Sequence, residues 1–388
     1  MNNFIYENKT KVYFGKGGVK EYLGCLLSHY GDTVMLAYGG GSIKTNGIYD
    51  EVTAILNANN KRIVEFSGIM PNPTYAKVQE GAKLARENNV DLILAVGGGS
   101  VSDCCKVISA QAKLDDDLWE KENVKHTFPS EFIPLGVIVT VFGTGSEMNC
   151  GAVITNEEKK IKGALWGAQA DFAFLDPDYS MSVHFKQVIS GAFDTLSHAM
   201  ETYFGKPDSN NLSDDINEAV MRSVIRNIRV LLADHNNYEA RSELAWASAM
   251  AENGMLKIGK ITDFQAHMIE HQLGAYTNCN HGAGLAVIHP VLYRHIYKSN
   301  IDRFARFAQN VWNVAPNENA EKTALAGIEA LADFIAEIGL PTSFGQLGIP
   351  EDTDLRAVAD STVITAGCCK KLTCDEIYEI LMECNTNL

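Results

Sequence analysis

DLILAVGGGS, at residues 91–100, is the stretch that decides the fold of this chain. Its apolar residues form a run of strand length, and the glycines and serine that follow predict a turn where the strand ends. The same order occurs in TVMLAYGGGS at 33–42, and KRIVEF at 61–66 is a further strand. Helical patterns at 43–58 and 71–89 separate these strands. Strands that alternate with helices predict a parallel, doubly wound α/β sheet.

Both glycine loops are expected at the ligand-binding edge of the sheet, because ligands bind beyond the carboxyl ends of parallel strands. Glycines leave backbone N–H groups open to a phosphate, and the N-terminus of the following helix favours an anion. One such loop is more often a flexible turn, but two copies after two strands favour a phosphate site. The candidate residues are Gly39, Gly40, Gly41, Ser42, Gly97, Gly98, Gly99 and Ser100. Neither loop has the G-x-G-x-x-G fingerprint or the lysine of a Walker A loop.

A third apolar segment, PLGVIVTVFGTGSEMNCGAVIT at 134–155, is interpreted as another strand that ends in a cluster of Thr, Gly and Ser residues. The Thr140 and Thr144 hydroxyls would be able to close over a ribose or a phosphate. A polar loop that caps a helix or a hairpin explains them equally well. DFAFLDPDYS at 171–180 adds one more strand and a Pro-Asp turn.

From about residue 183 the pattern changes to long stretches of 3.6-residue periodicity, which predict an all-helical C-terminal domain. The boundary is expected after the DPDYSMS turn. Residues 1–184 would then form the α/β domain and residues 185–388 the helical domain.

Side chains in the helical half have the chemistry of metal ligands. Asp194 and His198 are four residues apart in one helical pattern, and His267 and His271 are four apart in another. Each pair therefore shares one face of its helix. A lone pair of this kind is usually a satisfied surface or core pair. Two pairs, together with the glycine-flanked His281, favour a divalent ion, because imidazole and carboxylate suit both Zn(II) and Fe(II).

The composition is that of an ordinary globular protein, with 388 residues, 46% hydrophobic residues and a net charge of −15. The negative charge argues against a nucleic acid or an anionic membrane as a partner. The N-terminus has no apolar signal-peptide core, and no apolar run approaches the ~20 residues that span a bilayer. Nine cysteines without a C-x-x-C pair indicate reduced thiols, so a cytoplasmic location is expected.

Four motifs carry a resemblance to a known family: GGGSVSD at 97–103, TVFGTGSEMN at 140–149, GAFDTLSHAMETY at 191–203 and HMIEHQLGAYTNCNHGAGLAVIHP at 267–290. Together they resemble the iron-containing (group III) alcohol dehydrogenase family, and the resemblance covers essentially the whole chain. Within that family, YGGGSIKTNGIYDEV at 38–52 is similar to the butanol dehydrogenase and NADPH-dependent aldehyde reductase branch.

The resemblance implies an N-terminal Rossmann-like parallel-sheet domain, an all-α C-terminal domain, an active site in the cleft between them, and a homodimer. It implies as metal ligands Asp194, His198, His267 and His281. His271 matches a histidine beside the metal and is a candidate proton relay, whereas His289 is expected to be structural. The implied cofactor positions are Gly97, Gly98, Gly99, Ser100, Thr140, Thr144 and Lys162, with Asp103 as a match that helix stabilisation also explains. Asn149 is expected to bind the cofactor and to contribute to the substrate pocket.

One departure from the family's NAD-using members bears on the cofactor. Those members resemble one another in an aspartate after the first strand, whereas this chain has the loop of Gly39, Gly40, Gly41 and Ser42. A carboxylate there would repel a 2′-phosphate, and glycine amides with a hydroxyl would accept it. NADP(H) is therefore favoured over NAD(H).

The expected activity is reversible hydride transfer between NADP(H) and a primary alcohol or aldehyde similar to butanol or butanal, assisted by Fe(II) or Zn(II). One alternative is a lyase similar to dehydroquinate synthase, but such enzymes need several basic groups for a phosphorylated substrate, and few are present beyond Lys162. A second alternative is a noncatalytic protein that senses NADP(H).

Overall fold

The computed structural model describes residues Met1–Thr386 and divides into two compact units. One unit is Asn8–His184 and carries the sheet. The other begins at Phe185 and also contains the N-terminal segment Met1–Glu7. In that segment the Asn2 N–H donates a hydrogen bond to the Gly259 carbonyl oxygen at 3.0 Å.

The first unit is built on a six-stranded parallel sheet. Its strands are β1 (Lys11–Phe14), β2 (Thr33–Tyr38), β3 (Arg62–Phe66), β4 (Leu92–Gly97), β5 (Leu135–Val139) and, after the hairpin described below, β8 (Phe172–Leu175). Their order across the sheet is β1-β8-β5-β4-β2-β3. Every residue of β2, β4, β5 and β8 is buried, as is typical of parallel strands that are covered on both faces. The parallel α/β unit predicted from the sequence is confirmed.

Helices connect the strands, and their ranges are α1 (Gly18–Leu27), α2 (Ser42–Thr45), α3 (Ile48–Ala58), α4 (Tyr75–Glu87), α5 (Gly99–Gln111) and α6 (Leu118–Asn123). The single helix expected over 43–58 is instead two helices, α2 and α3. Gly47, between them, has a φ of 85°, a conformation that glycine adopts readily and that interrupts a right-handed helix.

The stretch 134–155 contains the expected strand, which stops before the Thr/Gly/Ser cluster, and also a hairpin that was not predicted. Strand β5 ends at Val139, and the turn residues Gly143 and Gly145 have φ values of 158° and 57°. The chain then forms a separate antiparallel hairpin of β6 (Gly151–Asn156) and β7 (Ile161–Trp166).

The second unit is helical, in agreement with the sequence prediction. Its longer helices are α7 (Phe185–Tyr203), α8 (Leu212–Ala233), α9 (Tyr238–Glu252), α10 (Gln265–Thr277), α11 (His281–Ile296), α12 (Ile301–Trp312) and α13 (Ala320–Glu337). They are followed by α14 (Phe344–Leu347), α15 (Leu355–Ser361) and α16 (Cys374–Asn385). One continuous apolar core joins them, in which Phe193, Leu196, Ile269 and Leu285 are fully buried. None of the helices in the described part of the chain combines the length and apolar character that a bilayer crossing requires.

A buried carboxyl group in the first unit gives the stability of this protein a pH dependence. Burial raises the pKa of Glu122, on α6, from 4.5 to about 7, although its carboxylate accepts a hydrogen bond from the Trp166 N–H at 2.8 Å. The folded state therefore holds this proton more tightly than the unfolded state does. The resulting stabilisation is complete below the unfolded pKa and is lost as the pH rises through about 7.

We therefore expect Glu122→Gln, which removes the charge and keeps an acceptor, to raise the free energy of unfolding at pH 8 by about 1–3 kcal/mol. The same substitution should have little effect at pH 4, below the unfolded pKa, and an intermediate effect at pH 5, where Glu122 of the folded protein is neutral but the unfolded state has begun to ionise. The two pH values compared are therefore 4 and 8. Urea denaturation at the two pH values measures this difference. An equal effect of the substitution at both values would contradict the prediction.

Candidate metal centre and cofactor loops

Three helices supply the predicted metal ligands. Asp194 and His198 lie on α7, His267 lies on α10, and His281 is the first residue of α11. Asp194 and His198 are one helical turn apart and lie on the same face. The turn between α10 and α11 brings His281 back towards them, helped by Asn278, whose φ is 53°.

The three histidine side chains converge on the Asp194 carboxylate. Its Oδ1 atom is 3.4 Å from His267 Nε2, 3.4 Å from His281 Nε2 and 3.8 Å from His198 Nδ1. Ligand bonds of ~2.1 Å in a tetrahedral arrangement place neighbouring ligand atoms roughly 3.4 Å apart. The separations to His267 and His281 match those around a single divalent ion, and the ligand atoms of Asp194, His267 and His281 all lie within 4.8 Å of one another. His198 is near Asp194 but lies outside this tighter group of three.

The hydrogen bonding of these atoms gives an independent test of that fit. Asp194 Oδ1, His198 Nδ1 and His267 Nε2 are buried and form no hydrogen bond with any described residue. Buried polar atoms without a partner are costly and uncommon. Because nitrogen and carboxylate oxygen are ligands for Fe(II) and Zn(II), one ion would give a partner to both Asp194 Oδ1 and His267 Nε2, and His198 Nδ1 lies 3.8 Å from the same carboxylate oxygen.

The local electrostatics favour positive charge at this point. Burial alone would raise the pKa of Asp194, but His198, His281 and His267 lower it well below its ordinary value. Burial would likewise lower the pKa of His267, yet the Glu201 and Asp194 carboxylates raise it to about 10.

Two further carboxylates, which were not predicted from the sequence, contact the predicted ligand histidines. Glu201, on α7, contacts Nδ1 of His267, and Glu270, on α10, contacts Nδ1 of His281. Both glutamates are buried, at 2% and 0% exposure. Their spacing in the sequence could have identified them. Glu201 is seven residues after Asp194, and Glu270 is three residues after His267, so each shares a helix face with a predicted ligand.

His271 and His289 differ in their relation to this cluster. The ring of His271 is buried on α10, with its centroid 5.9 Å from that of His267 and 5.4 Å from that of His281. His289 Nε2 instead lies 2.6 Å from the Ser197 Oγ, and burial lowers the pKa of His289 to about 4, which keeps the ring neutral. The structure thus brings His271 next to two of the ligand histidines and gives His289 a partner of its own.

In the first unit, the two glycine loops follow adjacent strands. β2 and β4 pair in parallel with Tyr38 opposite Val96, so Gly39–Ser42 and Gly97–Ser100 begin at the same edge. The connection from β3 to β4 passes over β2, which makes the gap between β2 and β4 the point where the strand order reverses. Ligands of doubly wound sheets bind at such a point.

The predicted threonines lie at this edge too. β5 pairs with β4, and the Thr140 N–H donates to the Gly97 carbonyl oxygen at 2.9 Å. A Cβ atom on Gly99 would lie 2.3 Å from Thr144 Oγ1, so only glycine permits this approach of the loop to the start of α5. The structure therefore brings both threonines together with the loop at 97–100.

Asp103 and Asn149 hold this region in place through contacts within the protein. The Asp103 carboxylate on α5 accepts hydrogen bonds from the Ser146 hydroxyl and from the Val153 N–H. Lys106, which is fully buried, donates to Asn149 Oδ1 at 3.0 Å and to the Gly151 carbonyl oxygen at 2.7 Å. Lys106 was not identified from the sequence, although it is three residues after Asp103 on α5. Asp103 and Lys106 therefore hold the segment from Ser146 to Val153 against α5, and any effect of these two residues on a cofactor would be indirect.

The predicted Lys162 lies on a different element from the glycine loops, which follow β2 and β4. It is buried on β7 of the hairpin, where its partner in the register is Thr155. The hairpin itself is anchored to α5 through the bond between Val153 and Asp103.

Two family models match this chain. One, described as iron-containing alcohol dehydrogenase, matches residues 9–177, and the other, the C-terminal part of the Fe-containing alcohol dehydrogenase family, matches residues 188–384. The chain belongs to the iron-containing alcohol dehydrogenase family. This alcohol dehydrogenase is therefore an oxidoreductase that uses a nicotinamide cofactor, and the resemblance drawn from the four motifs is confirmed.

Individual relatives of this alcohol dehydrogenase cover nearly its whole length. It is 37% identical to NADH-dependent butanol dehydrogenase A of Clostridium acetobutylicum, over 98% of this chain and 99% of the relative. It is 33% identical to an NADPH-dependent aldehyde reductase of Escherichia coli, over 90% of each chain. The crystal structure of NADH-dependent butanol dehydrogenase A from Thermotoga maritima matches with a TM-score of 0.93 and 33% identity, covering 100% of this chain and 99% of that one.

Proposed function

We propose that this enzyme catalyses reversible hydride transfer between NADP(H) and a primary alcohol or aldehyde of about the size of butanol or butanal. One divalent ion, Fe(II) or Zn(II), would be held by Asp194, His198, His267 and His281. The observation that carries the proposal is the position of Asp194 Oδ1, which is 3.4 Å from imidazole nitrogens of two other helices. A divalent ion there would act as a Lewis acid on the substrate oxygen, and the nicotinamide would carry the hydride.

The protein's own groups would position the reactants and move the proton. Asp194 would offset part of the ion's charge, and the imidazoles of His198, His267 and His281 would hold the ion. His271 is the proposed proton relay, because it is buried beside His267 and His281 and an imidazole can both accept and donate a proton near neutral pH. The glycine loops and Thr140, Thr144, Asn149 and Lys162 would bind the dinucleotide, with Asp103 acting on them through the loop.

A direct assay tests this function against its alternatives. The purified protein is mixed with NADPH, Fe(II) or Zn(II), and butanal, and oxidation of the nicotinamide is followed by absorbance. Turnover well beyond one equivalent per chain is expected. Binding without turnover would favour a sensor of NADP(H), and inactivity towards all simple aldehydes would favour a lyase.

The preference for NADP(H) rests on the loop after β2. No carboxylate follows Tyr38 there, and Gly39, Gly40 and Gly41 leave their backbone N–H groups available to a 2′-phosphate. The relatives include both NADH-dependent and NADPH-dependent enzymes, so the loop itself must be tested.

We expect Gly40→Asp to raise the KM for NADPH roughly tenfold more than the KM for NADH, because a carboxylate near a phosphate dianion costs about 1–2 kcal/mol at a partly exposed site. A Cβ at Gly40 meets no atom within 4 Å, so the side chain fits without strain. Gly40→Asn is the control, because asparagine has about the size of aspartate but no charge. Equal changes in both KM values for Gly40→Asp would contradict the proposed role of the loop.

We also propose, by analogy with the family, that the enzyme is a cytoplasmic homodimer. Sedimentation equilibrium of the purified protein tests the oligomeric state. A monomer at micromolar concentration would contradict it.

A further inference from the structure

Glu201 connects two of the helices that carry the proposed ligands. It lies on α7, three residues after His198, and its carboxylate reaches the start of α10. Its Oε1 atom accepts hydrogen bonds from the N–H groups of Ala266 at 2.6 Å and His267 at 3.2 Å. Its Oε2 atom contacts Nδ1 of the His267 ring.

The helix start that Glu201 reaches is capped only in part from its own sequence, because Asp263 Oδ1 accepts a hydrogen bond from the Gln265 N–H at 3.0 Å. α10 follows Phe264, which has a φ of 56° and provides no side-chain hydrogen bond to the first turn. The first N–H groups of a helix need acceptors from outside the helix, and a carboxylate there also complements the helix dipole. The Glu201 carboxylate supplies, from α7, the acceptor for the next two N–H groups, those of Ala266 and His267.

The same carboxylate sets the tautomer of His267. An ionised carboxylate only accepts hydrogen bonds, so Nδ1 of His267 must be the donor. The lone pair of the neutral ring is then on Nε2, the atom that lies 3.4 Å from Asp194 Oδ1. Metal-binding histidines are commonly oriented in this way by a carboxylate on the other ring nitrogen.

Glu270 repeats the arrangement one helix further on. It lies on α10, and its Oε2 atom contacts Nδ1 of His281, whose Nε2 atom lies 3.4 Å from Asp194 Oδ1. Its Oε1 atom lies 3.7 Å from the Cys279 Sγ, in the turn that leads into α11. One glutamate thus joins α7 to the histidine of α10, and the other joins α10 to the histidine of α11.

We infer that Glu201 and Glu270 are positioning residues for the metal: each fixes the tautomer of one ligand histidine and locks together the two helices that must meet at the ion. This inference rests on the proposed metal site. It adds that the affinity for the ion depends on two buried carboxylates that do not touch the ion.

Glu201→Gln separates this role from that of a structural cap. The amide oxygen of glutamine can still accept from the N–H groups of Ala266 and His267, so the start of α10 keeps its acceptor. The amide NH₂ would face Nδ1 of His267 as a donor and favour the tautomer with the proton on Nε2. That tautomer has no lone pair for a metal.

The experiment titrates metal-free protein with Co(II) by calorimetry and records the visible absorption of the bound ion, which reports its coordination geometry. We expect Glu201→Gln to bind Co(II) roughly 10- to 100-fold more weakly than the wild type with an altered spectrum. Its melting temperature without metal should stay close to that of the wild type, whereas Glu201→Ala should lower it.

The matched control is Glu218→Gln. Glu218 is a buried glutamate of the same unit, but it accepts hydrogen bonds from Tyr203, Arg306 and Asn310, and within Met1–Thr386 it has no hydrogen bond or ion pair with an imidazole. Its replacement should leave the Co(II) affinity and spectrum unchanged.

Three results would contradict either the role of Glu201 or the metal site on which that role depends. Wild-type affinity and spectrum in Glu201→Gln would refute the inference about Glu201. If metal-free Glu201→Gln is as unstable as Glu201→Ala, Glu201 acts only as a structural cap of α10, and the inference about Glu201 is wrong. Glu270→Gln then tests the positioning role on His281. Failure of the wild type to bind Co(II) at all would instead refute the proposed metal site.

Discussion

His267→Ala is expected to abolish metal retention and to lower kcat/KM for butanal reduction by roughly 10³-fold or more, because Lewis-acid assistance is worth several kcal/mol of transition-state stabilisation. The substitution removes a ligand whose Nε2 is 3.4 Å from Asp194 Oδ1. It also leaves the Glu201 and Asp194 carboxylates facing each other without the ring that separates them. Elemental analysis of the purified variant and steady-state kinetics measure the two effects.

The control for this substitution is His289→Ala. His289 is equally buried, so its removal leaves a comparable cavity, and its ring contacts the Ser197 hydroxyl and the rings of Phe193 and Tyr293. It should lower the melting temperature yet keep one equivalent of metal per chain. A folded His267→Ala protein that retains metal and activity would show that the ligand assignment is wrong.

Gly99→Ala is expected to weaken NADPH binding on the order of 100-fold, equivalent to about 2.7 kcal/mol. The new Cβ would lie 2.3 Å from Oγ1, 2.5 Å from Cγ2 and 2.8 Å from Cβ of Thr144. Because all three atoms are within two bonds of the Thr144 Cα, the loop at 140–146 must move away from the start of α5. Fluorescence titration with NADPH measures the loss of affinity.

Gly18→Ala is the matched control, because Gly18 is also the first residue of a helix in the same unit. A Cβ there would meet its nearest neighbour, Phe174 Cδ1, at 3.7 Å, which is an ordinary contact. Alanine normally favours a helix over glycine by ~1 kcal/mol, so Gly18→Ala should be neutral or stabilising. Unchanged NADPH affinity in Gly99→Ala would exclude this loop from the cofactor site.

The sequence was sufficient to predict the glycine loops, and the reason is physical. β2 and β4 are buried along their whole length, so each appears in the sequence as an unbroken apolar run that stops where the loop starts. The pairs Asp194/His198 and His267/His271 were equally accessible, because spacing within one helix fixes which side chains share a face.

The β6–β7 hairpin and the carboxylates beside the histidines were not predictable in the same way. β6 alternates between buried and partly exposed residues, but it follows so soon after β5 that the two apolar segments merge into one. Glu201 and Glu270 are also ambiguous in sequence, because a glutamate on an amphipathic helix usually faces solvent. Only the packing of α7, α10 and α11 against one another shows that these two glutamates are buried and contact imidazoles.

The packing also separates the histidines of the 267–290 stretch. His281 and His289 are both on α11, but only His281, at its first residue, lies close to Asp194. No spacing rule decides this, since it depends on the turn at Asn278 between the two helices.

The central claim is that one divalent ion, held by Asp194, His198, His267 and His281, is required for catalysis. Titration of metal-free wild-type enzyme with Fe(II) or Zn(II), with activity and bound metal measured on the same samples, tests it most directly. The account predicts that metal-free enzyme binds NADPH but is inactive, and that activity rises in proportion to bound metal up to one equivalent per chain. Full activity in enzyme that contains no metal, or activity unrelated to the metal bound, would contradict it.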